Sequence, residues 1–349
     1  MGFGGMQLDP STTTMFAEAQ SAGSVVRTLL ARNGPHAARL AATLRAAPPA
    51  AVLMVGRGSS DHAGVYAKYL IETQLGILAS SAGLSVSSIY GTSLTADRLL
   101  CLAISQSGRS PDLLAAVEAL TSSGGRVVAL VNDEASPLAH AATETLPLRA
   151  GPERSVAATK SFIAALAAIA QLVAHWAEDA QLLAALDKLP DQLEAAWQLD
   201  WRVAAQALGE RQGFYVLGRG PGYAVAREAA LKFKETCGIH AESYSAAEVL
   251  HGPAALMGPD FPALAFCQDD DAHDSTAQIL ATLGGRGAPV FVAGLEQPGL
   301  VTLPTLKAHP LLQPILTIQS FYRMVNAVAV ARGRDPDRPP HLSKVTETL

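Results

Sequence analysis

Cysteine is scarce in this chain: three residues in 349, Cys101, Cys237 and Cys267. An odd count, wide spacing and apolar neighbours exclude a disulfide framework and a zinc site, and predict small core residues in a reducing compartment. Charge is sparse too, at 16% of residues, with a net charge of −5 that lacks the basic footprint nucleic-acid binding needs. Long apolar runs are missing. The longest helical one, Phe162 to Val173, falls well short of the roughly 20 residues that span a bilayer. No basic segment precedes an apolar one at the N-terminus, so no secretory signal is expected and the expected location is cytoplasmic. No cofactor and no metal are expected. What the chain has is hydrophobic residues, 49% of the total, enough to bury sizeable cores in two ordinary domains or one large α/β unit.

Read in order, the chain alternates helices and strands. A helix is expected over residues 11–32, broken at Gly34-Pro35, and a second one up to Pro48-Pro49. Strand Ala51–Val55 and the turn Gly56-Arg57-Gly58-Ser59-Ser60 follow, then a helix to about Glu72 and a short strand near Leu84–Ile89. The apolar run from Leu99 to Ile104 reads as a buried strand that breaks into Ser105-Gln106-Ser107-Gly108-Arg109. Ser110-Pro111-Asp112 then opens a helix, with Ser as N-cap and Pro at the first helical position. That helix buries Leu113, Leu114, Val117 and Leu120 and stops at Gly124-Gly125. Arg126–Asn132 is apolar enough for a strand buried on both faces, and Thr159–Trp176 is an apolar helix. Leu189-Pro190-Asp191 is the expected boundary, followed by a helix to about residue 208. The expected organisation is an N-terminal helical segment (1–49), two subdomains (50–190 and 191–334) and a tail (335–349). The expected fold class is α/β, with two tandem, doubly wound parallel sheets.

The second half repeats the first. Val55-Gly56-Arg57-Gly58 recurs as Leu217-Gly218-Arg219-Gly220, Leu102-Ala103-Ile104-Ser105-Gln106 as Leu264-Ala265-Phe266-Cys267-Gln268, and Gly124-Gly125-Arg126 as Gly284-Gly285-Arg286. The offsets are 162, 162 and 160 residues. The loop from Ser105 to Ser110 is the leading candidate site. Strand, small loop and helix aim backbone N–H groups and the positive end of a helix dipole at one point, which suits a phosphate. Ser105, Gln106, Ser107 and Ser110 add neutral donors; an ordinary serine-rich turn is the plainer alternative. The repeat is a control, because the second copy carries Asp269-Asp270-Asp271 where a phosphate would be repelled. Chemistry is therefore expected at the first loop. Ser59-Ser60 share its edge of the sheet, as phosphate contacts or simply as helix caps.

Glu228, Lys232 and Glu235 form one charged stripe on a second-half helix. Glu228 is expected on a solvated face. Lys232 and Glu235 are expected at the crevice beyond Gly218-Arg219-Gly220, where a half-buried carboxylate beside a lysine suits proton transfer. Ser245-x-x-Glu248 reads as a capping box, which makes Glu248 structural. His251 ends a short helix before Gly252-Pro253, where interaction with the helix C-terminus is the plainer role. The segment from Asp335 to Lys344 is too proline-rich for helix or central strand, and nothing local marks its lysine as functional.

Six motifs occur in order: Gly58-Ser59-Ser60, Ser105-Gln106-Ser107-Gly108, Val156-Ala157-Ala158-Thr159-Lys160, Glu228 to Glu235, His251-Gly252-Pro253, and Asp337-x-Pro339-x-x-Leu342-x-Lys344. As a set they resemble the sugar isomerase (SIS) domain family, specifically the isomerase half of glutamine–fructose-6-phosphate aminotransferases and the stand-alone SIS-type glucosamine-6-phosphate deaminases. The resemblance runs from about Met15 to Lys344 and implies flavodoxin-like sheets.

It also implies roles. Ser60, Ser105, Gln106, Ser107 and Ser110 would hold a sugar phosphate, with Glu153 and Val156 at further site positions. Glu235 would shuttle a proton, supported by Lys232. His251 would assist ring opening from a neighbouring subunit, which implies a homodimer, and Lys344 would form an imine with the open-chain ketose. The expected partner is a hexosamine or hexose 6-phosphate, and the expected reaction is glucosamine 6-phosphate plus water to fructose 6-phosphate plus ammonia. A galactosamine 6-phosphate deaminase-isomerase, a fructosamine 6-phosphate deglycase and a non-catalytic sugar-phosphate sensor are the alternatives. About 50 residues precede the first strand, so a glutaminase domain is expected to be absent, and with it ammonia release from glutamine. Ala158 stands where the synthases usually have serine, which removes one hydroxyl near the sugar.

Overall fold

The computed structural model describes residues 8–92 and 94–344; the outermost ends of the N-terminal segment and of the tail lie outside the described residues. The apolar runs β1 (Ala51–Val55), β3 (Leu99–Ser105) and β4 (Arg126–Val131) bury nearly every side chain. A strand achieves that inside a parallel sheet covered by helices on both faces. With β2 (Ala79–Ser81) and β5 (Glu144–Pro147) at the edges, the first sheet is parallel in the order β2-β1-β3-β4-β5. Helices α1 (Thr14–Gln20) and α2 (Ala22–Ala46) lead into it, and α3 (Ser59–Leu75), α4 (Ser85–Ser88), α5 (Pro111–Ser122) and α6 (Pro137–Ala141) connect its strands.

Helices α7 (Lys160–Trp176), α8 (Ala180–Ala196) and α9 (Arg202–Gly209) lead to the second sheet. Its strands are β6 (Gly213–Gly218), β7 (His240–Ser245), β8 (Ala263–Phe266), β9 (Val290–Ala293) and β10 (Val301–Leu303), with α10 (Pro221–Lys232), α11 (His273–Gly285) and α12 (Gln313–Ala331) around them. The order is β10-β9-β8-β6-β7, also parallel. Read from the β7 edge, it has the strand order of the first sheet, as the sequence repeat predicts. Helix α3 packs against α10, so the two halves meet through the helix that follows the first strand of each. One hydrophobic core, including Leu70, Phe162, Phe214, Phe233 and Phe321, runs through both halves.

Several local expectations need correction. Helix α2 runs straight through Gly34-Pro35. Pro35 removes one backbone bond, but Leu29, Asn33, Ala37 and Leu40 of α2 are buried and Gln171 of α7 donates to the Leu30 carbonyl at 2.9 Å. Leu84–Ile89 is a helical turn, closed by Ser88 N to Leu84 O at 3.1 Å and Ile89 N to Ser85 O at 3.0 Å, and the strand lies earlier, at Ala79–Ser81. Ile89 is 64% exposed, which a strand buried on both faces would not permit. Leu189-Pro190-Asp191 sits inside α8, and the helix expected to reach 208 is interrupted between Ala196 and Arg202. The three cysteines are free and buried, and burial pushes each thiol up to about 12. Among the described residues no helix is long and apolar enough to cross a membrane.

Candidate active site

Strand order in the first sheet reverses between β1 and β3, and crevices at such switch points are the usual ligand sites of open α/β sheets. A cavity of about 610 Å³ opens there, lined by Arg57 to Ser60, Ser105, Gln106, Ser107, Ser110, Val156, Ala158 and Lys344. Ser105 Oγ accepts the Gly108 N–H at 2.9 Å and folds the loop back on itself. Gly108 has φ +65°, and a Cβ there would lie 2.3 Å from Ser136 Oγ, so the bend requires glycine. Ser110 occupies the N-cap position of α5 but makes no capping hydrogen bond, which leaves its hydroxyl to the cavity. The Leu113 N–H is instead taken by Asp112 Oδ1 at 2.8 Å. Arg57 also faces the cavity. Its Nε and Nη2 sit 2.7 and 2.6 Å from Oδ2 of the fully buried Asp112, a cation that sequence reading assigned only to the turn.

Lys344 reaches the same cavity. Its Nζ donates to the Ser155 carbonyl at 2.7 Å and lies 3.3 Å from Glu153 Oε2. Glu153 is buried and also accepts from Thr159 N, Ser161 N and Ser161 Oγ, at 3.0, 3.1 and 2.6 Å. A tail lysine with no local sign of function is thus placed on a carboxylate and a carbonyl, against the wall that Val156 and Ala158 share.

The largest correction concerns Glu228. Its carboxylate is completely buried, not solvated. Oε1 accepts from Ser59 Oγ at 3.0 Å and Tyr322 OH at 3.1 Å and lies 3.3 Å from Lys232 Nζ, while Oε2 lies 2.9 Å from His62 Nδ1. Burial opposes its ionisation, but the Lys232 ammonium, with His62 and Ser59, outweighs that and holds the carboxyl below its ordinary value. Burial likewise opposes the Lys232 ammonium, yet Glu228 and Glu235 together keep its pKa raised. Burial, then Glu228, drives the Tyr322 phenol well above its usual range, keeping it a neutral donor. Lys232 Nζ also donates to Glu235 Oε2 at 2.5 Å, from the π-helical turn Phe233–Cys237 that ends α10. Glu235 does not line the cavity; it connects to it through Lys232, Glu228 and Ser59. The sequence did carry a sign of this burial, since Glu228 is embedded in Ala224-Val225-Ala226 and Ala229-Ala230, a surface small enough for close helix packing.

The structure separates His251 from these groups. It ends the 3₁₀ turn Glu248–His251, is exposed, and does not line the cavity. Leu250 and Leu256 beside it are 41% and 63% exposed. The capping box read at Ser245 and Glu248 is not formed: Ser245 closes strand β7 and the turn begins at Glu248 with no side-chain cap. In the second sheet the corresponding loop is filled by its own side chains. Gln268 Nε2 donates to Arg219 O and to Asp270 Oδ2, both at 2.8 Å, and Asp270 Oδ1 accepts Ala272 N at 2.9 Å.

This fold, with its serine-lined crevice in the first half, can be set beside known families. The family model of the SIS domain matches residues 48–175 and 209–293, one segment in each half. The chain belongs to the SIS domain family. Among curated proteins, this SIS chain is 36% identical over 315 residues to the glutamine–fructose-6-phosphate aminotransferase of Symbiobacterium thermophilum, covering 84% of this chain and 51% of that protein. It spans about half the length of the curated relatives it matches. Among solved structures it superimposes on a candidate phosphosugar isomerase from Silicibacter pomeroyi DSS-3 with a TM-score of 0.89 and 46% identity, over 93% of this chain and 100% of the other. The glucosamine-6-phosphate deaminase of Thermotoga maritima, 21% identical, shares the fold with a TM-score of 0.77 over 96% of this chain and 100% of its own.

Proposed function

We propose that this SIS chain is an aminosugar-phosphate deaminase-isomerase that converts glucosamine 6-phosphate and water to fructose 6-phosphate and ammonia. The observation that carries the reading is the Lys344 amine set on the wall of the cavity that Ser60, Ser105, Gln106, Ser107 and Ser110 line. Neutral donors at the start of α5 suit a phosphate dianion, and the primary amine suits imine exchange at a sugar carbonyl carbon. A sensor would need the first of these and not the second.

In this reading the open-chain substrate presents an aldehyde at C1 and an amine at C2. With the phosphate held at the serine loop, C1 and C2 reach beyond the cavity toward Glu235. That carboxylate takes the C2 proton and delivers it to C1 while one amine proton passes to O1, leaving a C1 alcohol and a C2 imine. Lys232, held charged between Glu228 and Glu235, keeps the proton-carrying carboxylate in place. Lys344 displaces ammonia from C2 as a lysine imine, and water hydrolyses that imine to free fructose 6-phosphate. Glu153 holds the Lys344 amine. His251, exposed beside Leu250 and Leu256, would act in ring opening on the cavity of a second copy, so the working unit is a homodimer.

Ammonia release from glucosamine 6-phosphate, with galactosamine 6-phosphate and a fructosamine 6-phosphate run in parallel, tests the substrate. Turnover confined to one of the other two moves the assignment to that sugar, and binding with no turnover of any of them leaves the sensor. Glu235→Gln is expected to abolish turnover while sugar-phosphate affinity stays within about threefold, a change small on the scale of binding free energies. Mixing inactive His251→Asn with inactive Lys344→Ala chains should restore part of the activity through hybrid dimers; persistent inactivity of a mixture shown to exchange subunits would remove the shared site.

A further inference from the structure

Helix α1 has no part in the mechanism above, yet two of its features converge on Lys344. Its first free backbone N–H groups, Thr14 N and Met15 N, donate to the two oxygens of Asp337 at 2.6 and 2.7 Å. Asp337 lies in the tail, seven residues before Lys344, and its own carbonyl accepts Val156 N at 3.3 Å. On the next turn of α1, the buried Glu18 accepts Arg154 N at 2.6 Å and Ser155 N at 3.2 Å. Ser155 in turn offers the carbonyl that holds Lys344 Nζ. The helix itself is fixed from below: Asn326 of α12 bonds Thr13 Oγ1 at 2.7 Å and Pro10 O at 2.8 Å, and Gln319 donates to Ala19 O at 3.0 Å.

We propose that α1 is a splint for the lysine: Asp337 fixes the tail on one side, Glu18 fixes the 154–155 backbone on the other, and the two together set where the Lys344 amine stands. Asp337 and Glu18 are positioning residues that touch no substrate. The physical case is that a four-carbon side chain on an irregular tail has many conformers. Its bonds to Ser155 O and Glu153 fix the amine only as well as the tail and the 154–155 backbone are themselves fixed, which charge-assisted bonds to both achieve. The link to catalysis rests on the imine role proposed for Lys344; the link to lysine position does not.

Two measurements on Asp337→Asn and Glu18→Gln keep these apart. Amine-labelling of the intact protein, read by mass spectrometry, should show Lys344 modified several-fold faster in each variant, with the other lysines unchanged. Turnover should fall about 10- to 100-fold, the scale of loss from a misplaced reacting group, while affinity for inorganic phosphate stays within twofold. Asp337→Glu, which keeps the charge, should recover part of the turnover. Unchanged Lys344 labelling in both folded variants overturns the inference, and so does a loss of turnover matched by an equal loss of phosphate affinity. Faster labelling with no sodium borohydride-trapped adduct at wild-type Lys344 on any 6-phosphate sugar leaves the splint standing and removes the imine role instead.

Discussion

The two halves have the same strand order and the same Gly-Arg-Gly turn after the first strand, yet among the described residues the first opens a cavity at its switch point and the second lays Gln268 over its turn. In the first, Gln106 lines the cavity, Ser105 turns its oxygen inward to Gly108 N, and Ser110 leaves its hydroxyl unused by the helix. In the second, Gln268 folds over the turn so closely that a Cβ on Gly222 would lie 2.3 Å from its Oε1. Asp270 takes the N–H of Ala272 just ahead of α11. The second copy thus sets Asp270 in the loop ahead of its helix, where the first has the serines that line the cavity. The first helix start also has a carboxylate, but Asp112 is held by Arg57 and takes the Leu113 N–H, so the serine hydroxyls ahead of it stay open to the cavity.

Making the first loop resemble the second should break this contrast most. Ser107→Asp places a carboxylate near the bound phosphate, where like charges a few ångströms apart repel by about 4 kcal/mol at an intermediate dielectric. Affinity for glucosamine 6-phosphate, measured by calorimetry, should fall about 100- to 1000-fold. Next in size is the carboxylate that joins the halves. Glu228→Gln removes the charge against Lys232 and should cost about 1.5–3 kcal/mol of stability, the range for hydrogen bonds to a charged group. The sign with pH follows from the shifts. The Glu228 carboxyl is lowered from its ordinary 4.5, so its contribution is complete above pH 4.5 and disappears as pH falls through the lowered value. Lys232 is raised from 10.5, so its contribution is complete below pH 10.5 and is lost as pH rises through the raised value. Melting curves should show wild type ahead of the variant across neutral pH and converging on it in acid. Smallest is Asp270→Ser in the second copy, expected to cost about 0.5–1.5 kcal/mol through the weakened bonds to Ala272 N and Gln268 Nε2 and to leave sugar-phosphate affinity unchanged. A new phosphate site there would show that Gln268 does not fill the crevice.

The strands and the serine loop were readable from sequence because burial on both faces of a parallel sheet leaves an apolar run, and a loop between strand and helix leaves a composition. What failed depended on partners far along the chain. Glu228 has the same local pattern as a solvated i, i+4 pair, and only His62 and Ser59 of α3 and Tyr322 of α12 make it a core residue. Lys344 lies in a segment with no periodicity at all, and its placement comes from Ser155 and Glu153, nearly two hundred residues away. A short strand is expected near Leu84–Ile89, but Ile89 is exposed and the segment closes as a helical turn. Pro35 and Pro190 both sit inside helices because the packing of α2 and α8 outweighs the bond each proline removes.

Helix α8 continues without a break through the point where the two repeats were expected to divide. The chain therefore has no hinge there, and Glu228 takes hydrogen bonds from side chains of both halves. Duplicated topology would suggest two independent melting transitions, but either half alone would strand a buried ion without its partners. Both sheets should unfold in one cooperative step, and severing the chain at residue 190 should yield two unstable fragments.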